Sequence, residues 1–192
     1  MKKYLVLLSL VACFLCSNGQ DLTKIGESIN GTLVTIKDKS PIGYTDSLDG
    51  VIFRLTKLSD VSVTVSIANK SDEMLHFSYN DSYFIVDGTT ESIISETTLM
   101  IDKDKSIQDI KIAPNTSTRL ELFNKTRLES YGTIWYMFSN KKANNIFKRG
   151  KGSEKVSMVL VLKNEKGEKI KKEFIFTVRG SVELKELRKS MK

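Results

Sequence analysis

The chain has 192 residues, of which 40% are hydrophobic, and a formal net charge of +7. Both cysteines lie within the first 16 residues, and the rest of the chain holds one histidine, too few for a zinc site of about three or four such ligands. No apolar run reaches the roughly 20 residues that a membrane-spanning helix needs. This length suits one domain, and the excess of Lys and Arg favours anionic partners such as lipid headgroups or acidic glycans.

The N-terminus has the order of a secretory signal peptide. An MKK start is followed by an uncharged, almost entirely apolar run over residues 4–16, and then by the small residues of Ser17-Asn18-Gly19. Cleavage after Gly19 would remove both cysteines, so the exported domain would fold without disulfides. The segment LVAC, which ends at Cys13, resembles a bacterial lipobox and offers the alternative of a lipid anchor at Cys13.

Cleavage after Gly19 is favoured over lipidation, because a chain that began at Cys13 would start with an apolar segment where a polar tether is expected. We therefore predict a signal peptide at 1–19 and an exported protein that is periplasmic, on the cell surface or extracellular. A membrane-tethered lipoprotein is the alternative. The Lys-, Asn- and Ile-rich composition favours a bacterial source, and export makes nucleic acid the least expected partner.

Residues 20–192 are predicted to form a single all-β domain. Short runs rich in β-branched and aromatic residues are separated by turn-forming Gly, Asn, Asp, Ser and Pro, which is typical of a sandwich or barrel. The clearest run is Val61–Ile67, where apolar and small polar residues alternate, so its apolar side chains (Val61, Val63, Val65, Ile67) should face a core. About ten strands are predicted: 31–37, 50–58, 61–67, 75–79, 83–86, 107–112, 116–123, 133–138, 156–162 and 170–178.

The region 61–123 carries a resemblance to a known class of domain. Its segments VSVTVSIANKSDEMLHF, DSYFIVDG and IKIAPNTSTRLELF resemble immunoglobulin-like domains of exported bacterial proteins of uncharacterised function. The resemblance covers about a third of the chain, and it implies an antiparallel two-sheet immunoglobulin-like sandwich but no activity. The cysteine pair that joins the two sheets of antibody domains is absent.

The last two runs predict a β-hairpin. They flank the polar loop 163–168, in which Gly167 suits a positive φ. The alternation places Lys171 and its polar neighbours on the outer face. The apolar side chains are predicted to point inward: Val156, Met158, Leu160, Leu162, Phe174, Phe176 and Val178. Beyond Gly180, residues 181–192 are predicted to form a short helix or a frayed tail.

A basic segment and an aromatic run lie side by side before that hairpin. Residues 139–153 are rich in Asn, Lys, Arg and Gly and predict a long mobile loop, whereas YGTIWYMF at 131–138 predicts a strand that is apolar on both faces. The simpler interpretation is a core strand with Trp135 at the centre of the sandwich. The alternative is a ligand or partner surface of aromatic rings with a cationic rim: Tyr131, Trp135, Tyr136, Lys141, Lys142, Lys148, Arg149 and Lys151.

Catalytic chemistry is not favoured by the sequence. His76 is the single histidine and is predicted to point to the face of its strand opposite Leu75 and Phe77, and no G-x-S-x-G nucleophile motif precedes a helix. The acids of the DKDK segment at 102–105 alternate with lysines, which compete with a bound cation. No metal site and no cofactor are therefore predicted.

These observations predict a non-catalytic exported protein that works as a binding or structural accessory of the cell envelope, with a protein or an anionic envelope polymer as its partner. A carbohydrate-binding module that uses the aromatic residues near Trp135 is the alternative, and a hydrolase that uses His76 is less favoured. Asn-x-Ser/Thr sequons would be glycan sites on surface loops in a eukaryotic secreted protein, and mostly turn residues in a bacterial one: Asn30, Asn69, Asn80, Asn115 and Asn124.

Overall fold

The computed structural model describes residues 26–29, 32–59, 62–86, 88–95, 107–125 and 153–180, and these ranges contain twelve strands and no helix that could cross a membrane. All the strand pairs are antiparallel. In chain order the strands are β1 (Glu27–Ile29), β2 (Thr32–Ile36), β3 (Thr45–Leu48), β4 (Val51–Leu58), β5 (Ser62–Asn69), β6 (Leu75–Phe77), β7 (Tyr83–Val86), β8 (Thr89–Ser95), β9 (Ile110–Ile112), β10 (Ser117–Asn124), β11 (Ser153–Asn164) and β12 (Lys169–Arg179). The protein is thus all-β in its described part.

Hydrogen bonding links ten of these strands into one curled sheet, in the order β3-β4-β5-β10-β8-β7-β11-β12-β2-β1. Strand β8 joins its two halves: residues 89–92 pair with β7, and residues 93–95 pair with β10. Strands β6 and β9 extend the sheet beside β11. We call β3, β4, β5 and β10 the first half of the sheet, and β7, β11, β12, β2 and β1 the second half.

The inner faces of the two halves pack against each other around one hydrophobic core. The ring of Phe53 on β4 meets the ring of Phe174 on β12 edge to face at 6.2 Å, and Tyr44 meets Phe174 at the same distance. At the rim, the Nζ of Lys172 donates to the Oδ2 of Asp46 at 2.5 Å, which joins β12 to β3. The core therefore draws on strands that are far apart in the hydrogen-bonded order.

The predicted strands within the described ranges all form. Alternation is confirmed in β5, where Val63, Val65 and Ile67 are fully buried, whereas Val61 lies outside the described residues. Strands β1, β3 and β8 were missed, because their sequences ESI, TDSL and TTESIIS are short or mostly polar. The predicted strand 133–138, the signal peptide at 1–19 and the tail 181–192 lie outside the described residues, as does the predicted loop 139–153 apart from Ser153, which begins β11.

The predicted hairpin is confirmed as β11 and β12. Its register runs from the pair Ser153 and Arg179 to the pair Lys163 and Lys169, and Gly167 in the connecting loop has a φ of 81°. The side chains predicted to point inward all belong to the core. The outer face is less polar than predicted, because it also holds three apolar side chains: Val159 and Val161, which are buried, and Ile175, which is exposed.

The sequons at Asn69 and Asn124 are neither surface loops nor turns. Each is the last residue of a strand, and their exposed fractions are 0% and 1%. The amide of Asn69 donates to the backbone carbonyls of Glu73 and Ile112, and the amide of Asn124 donates to the carboxylate of the buried Glu91. These asparagines therefore stabilise the fold through hydrogen bonds of their buried side chains. The expectation of surface loops or turns is wrong for these two sequons.

Candidate binding surface

Among the described residues, the single histidine has no partners for a Ser-His-Asp proton relay. His76 is half-buried on β6, between the buried Leu75 and Phe77, and its strand is paired on both sides. Within the described ranges, no hydrogen bond or ion pair joins its imidazole to a serine or a carboxylate. The prediction that His76 points away from the core is confirmed, and its surroundings give no support to a Ser-His-Asp arrangement.

An ion-pair cluster joins the segment between β6 and β7 to lysines of β11 and β12. Asp81 receives a hydrogen bond from the Oγ of Ser78 at 3.0 Å and ion pairs with Lys163 and Lys169. The Nζ of Lys163 also donates to the Oγ of Ser78 at 3.2 Å, an arrangement that superficially resembles a catalytic serine–lysine pair.

The charges in this cluster argue against catalysis. Hydrogen bonding to Asp81 raises the pKa of Lys163 above its ordinary value, so the ammonium stays protonated and cannot accept a proton from Ser78. Hydrogen bonds from Lys163 and Lys169 hold the pKa of Asp81 well below its usual range. The cluster is therefore a structural clamp that ties the segment after β6 to the β11–β12 hairpin.

We expect Asp81→Asn to lower the free energy of unfolding by about 1–2 kcal/mol at pH 7, since it removes partly exposed ion pairs. Because the folded-state pKa of Asp81 is depressed, its contribution is present above about pH 4 and is lost as the pH falls below that value. The free energy of unfolding, measured in urea from pH 7 to pH 2, should therefore decrease less steeply with falling pH for the variant than for the parent chain. Asp72→Asn, at an exposed turn, is the control. Parallel pH curves for Asp81→Asn and the parent chain would contradict this role.

A different kind of arrangement occurs on the outer face of β4, β5 and β10, which we call the binding face. The register places Arg54 on β4 and Arg119 on β10 directly beside Ser66 on β5, one on each side. All three point away from the core, because their neighbours in each strand, such as Phe53 and Val65, belong to it. We call these residues the Arg–Ser–Arg row.

The two guanidinium groups of this row are exposed. Neither has a hydrogen-bond or ion-pair partner among the residues that the structure describes. Neighbouring strands lie about 4.8 Å apart, so Arg54 and Arg119 stand about 10 Å apart at their backbones, with the hydroxyl of Ser66 between them. Side chains as long as arginine can lean together over Ser66 and direct their donors at one acceptor.

The next row of the binding face carries one positive and one negative side chain, unlike the two cations of the Arg–Ser–Arg row. Thr64 is flanked by Lys57 and Glu121, whose charged atoms are 3.9 Å apart, and Glu121 also accepts a hydrogen bond of 2.6 Å from the hydroxyl of Ser62. Thr64 is 3% exposed, and its Oγ1 has no hydrogen-bond partner in the described part of the chain. A buried hydroxyl therefore lies unsatisfied beside the Arg–Ser–Arg row.

The row on the other side consists of small side chains apart from Ile52. Ala68 lies between Ile52 and Ser117, and the adjoining edge strand adds Ser47. Ala68 and Ile52 are half-buried, whereas Ser47 and Ser117 are exposed. The binding face thus combines two unpaired cations with short side chains, so that an extended chain can approach the backbone of the sheet closely.

Cys13, the alternative lipidation site, lies outside the described residues. So do the members of the ligand or partner surface predicted from the sequence: Tyr131, Trp135, Tyr136, Lys141, Lys142, Lys148, Arg149 and Lys151. The structure instead brings together Arg54, Ser66 and Arg119, which sequence reasoning missed. The available signal was an arginine at an outward position of each of two alternating runs, but only the register shows that they flank the same serine. Among the described residues, no group of three or more His, Cys, Asp or Glu side chains could hold a metal ion.

Comparison with known proteins gives little further guidance. No protein-family model matches the chain, and no curated protein matches it. Among solved structures, the chain is similar to that in the X-ray structure of Northeast Structural Genomics Consortium target SoR45, with 10% identity and a TM-score of 0.31; the alignment covers 81% of this chain and 90% of the other. So distant a likeness carries no weight for fold or function.

Proposed function

We propose that this protein is a non-catalytic, exported accessory protein of the cell envelope, which binds an anionic envelope polymer or an acidic protein through the binding face. The curled sheet would be an immunoglobulin-like sandwich that serves as the scaffold. The observation that carries the proposal is the Arg–Ser–Arg row, because its two exposed guanidinium groups have no acidic partner among the described residues. Arginine is favoured where carboxylates and phosphates are recognised.

Two further features support binding over catalysis. In the described part of the structure, the one serine that contacts a lysine is Ser78, and the raised pKa of Lys163 removes the base that it would need. The binding face lies on β4, β5 and β10, where the backbone at Arg54 and Ser66 is paired on both sides and the backbone at Arg119 is paired with β5. A rigid backbone lowers the cost of ordering on binding, so that the remaining ordering cost is that of the arginine side chains.

The proposal is tested by retention on two anionic supports, heparin and vesicles that contain phosphatidylglycerol. We expect the double variant Arg54→Ala/Arg119→Ala to bind on the order of 100-fold more weakly than the parent chain, since hydrogen bonds to charged groups contribute about 1.5–3 kcal/mol each. Retention of the parent chain should also fall as salt rises, because exposed charges are screened over about 8 Å at physiological ionic strength.

The matched control is Lys155→Ala/Lys171→Ala. It removes the same charge from exposed positions on the outer face of β11 and β12, in the second half of the sheet. Its binding should stay within about threefold of the parent value if the binding face is the site. Equal losses in the two double variants would mean that net charge alone governs retention. Loss only on neutralising Lys141, Lys142, Lys148, Arg149 and Lys151 would move the site to the basic segment.

A further inference from the structure

We infer that the Arg–Ser–Arg row is a seat for the oxyanion of an acidic glycan, a carboxylate, phosphate or sulfate group carried on a sugar chain. This inference rests on the proposed function and names the ligand class of the same surface. The planar guanidinium groups of Arg54 and Arg119 supply several donors each and no acceptor, and Ser66 adds a hydroxyl donor between them. One oxyanion held above Ser66 can therefore receive hydrogen bonds from three adjacent strands.

The surroundings of the row favour a sugar chain over a protein. The cores of protein interfaces are rich in aromatic and large apolar side chains. Around the row, the described outward positions hold Thr45, Ser47, Ala68 and Ser117, and the half-buried Ile52 is the one large apolar side chain in direct register with them. Short hydroxyl side chains suit the many hydroxyls of a polysaccharide that lies flat on the sheet.

The buried hydroxyl of Thr64 is a second and independent indication of a ligand. It stands two residues from Ser66 on the same face of β5, and its Oγ1 lacks a hydrogen-bond partner among the described residues. An unsatisfied buried hydroxyl destabilises a protein, and valine has almost the same shape without that defect. The presence of a polar atom at such a place is explained if a bound sugar hydroxyl satisfies it.

The charged groups that flank Thr64 can move. The ion pair between them is long, 3.9 Å between the Nζ of Lys57 and the Oε1 of Glu121, and the side chain of Lys57 is 56% exposed. An ion pair of this kind is weak. When an acidic sugar binds, Lys57 turns from Glu121 toward the anion and exposes Thr64 to the neighbouring sugar hydroxyl.

The test measures affinity by titration calorimetry with three probes: polygalacturonate, its fully methyl-esterified form and phosphomannan. The first and third carry carboxylate and phosphate, and the second has the same backbone as the first without its charge. We expect the acidic probes to bind at least about tenfold more tightly than the ester, with the tighter of the two identifying the oxyanion. Equal affinity for polygalacturonate and its methyl ester would overturn the inference.

Three variants locate the binding. Arg54→Ala/Arg119→Ala should weaken binding of the acidic probe on the order of 100-fold, and Arg54→Lys/Arg119→Lys, which keeps the charge but loses the planar fork, about tenfold. Thr64→Val should weaken binding about fivefold while its melting temperature stays at or above that of the parent chain. If the lysine variant bound the acidic probe as tightly as the parent chain does, charge alone would account for binding, and the inference of an oxyanion site at the Arg–Ser–Arg row would be wrong.

The two proposals can fail separately. If the parent chain binds anionic vesicles through the two arginines but binds none of heparin, polygalacturonate and phosphomannan, the glycan inference is wrong and the proposed binding face stands. If the arginine variants bind every support as well as the parent chain does, both are wrong. The melting temperatures of all variants guard against a loss of binding that is due to unfolding.

Discussion

Phe174→Ala is expected to lower the free energy of unfolding by about 3–5 kcal/mol, the largest effect that we predict for a single substitution in this chain. Phe174 is 2% exposed, and its ring contacts the rings of Phe53 and Tyr44, both at 6.2 Å. Truncation leaves a cavity where the two halves of the sheet meet, and it also removes two edge-to-face ring contacts. Equilibrium unfolding in urea, followed by circular dichroism, measures the loss.

The neighbouring residue provides the control for this prediction. Ile175 belongs to the same strand but points outward and is 45% exposed. Ile175→Ala should therefore lower the free energy of unfolding by less than about 1 kcal/mol. Similar losses at positions 174 and 175 would mean that β12 does not separate an inner from an outer face, and the packing of the two halves around Phe174 would be wrong.

Asn69→Ala is expected to cost about 2–4 kcal/mol, although it removes only an amide group. The side chain is fully buried, and its Nδ2 donates to the carbonyls of Glu73 and Ile112 at 2.8 and 3.1 Å. Its Oδ1 accepts from the backbone N–H and the hydroxyl of Ser71 at 3.0 and 2.7 Å. Alanine leaves the buried carbonyl of Ile112 and the part-buried polar groups of Ser71 and Glu73 without this partner, which costs more than the loss of an exposed hydrogen bond.

Another asparagine of the same sequon type serves as the matched control. Asn115 is exposed at the turn before β10 and has a φ of 56°, a conformation that glycine adopts readily. Asn115→Gly should change the free energy of unfolding by less than about 1 kcal/mol in either direction. Thermal and urea unfolding of both variants would measure these changes. If Asn69→Ala left the free energy of unfolding nearly unchanged, the role of Asn69 as a link between β5, the following turn and β9 would be wrong.

Features that depend on near neighbours in the chain were predictable. The alternation of Val63, Val65 and Ile67 with small polar residues predicts which side chains of β5 are buried, and Gly167 between two apolar runs predicts the hairpin. Strand β8 was missed for the opposite reason. Its first half is exposed apart from Glu91, its second half is buried, and the two halves pair with different strands, so its pattern changes within seven residues.

The sequence by itself determined that extended segments with one apolar face follow one another along the chain, because alternation and turn residues act over a few positions. Only the tertiary structure decided which segments lie side by side. Arg54, Ser66 and Arg119 are neighbours because of the register between three strands, and Asn69 is buried because β9 and the turn after β5 close over it. Such pairings join residues far apart in sequence, so they are set by packing of the whole core and not by local preference.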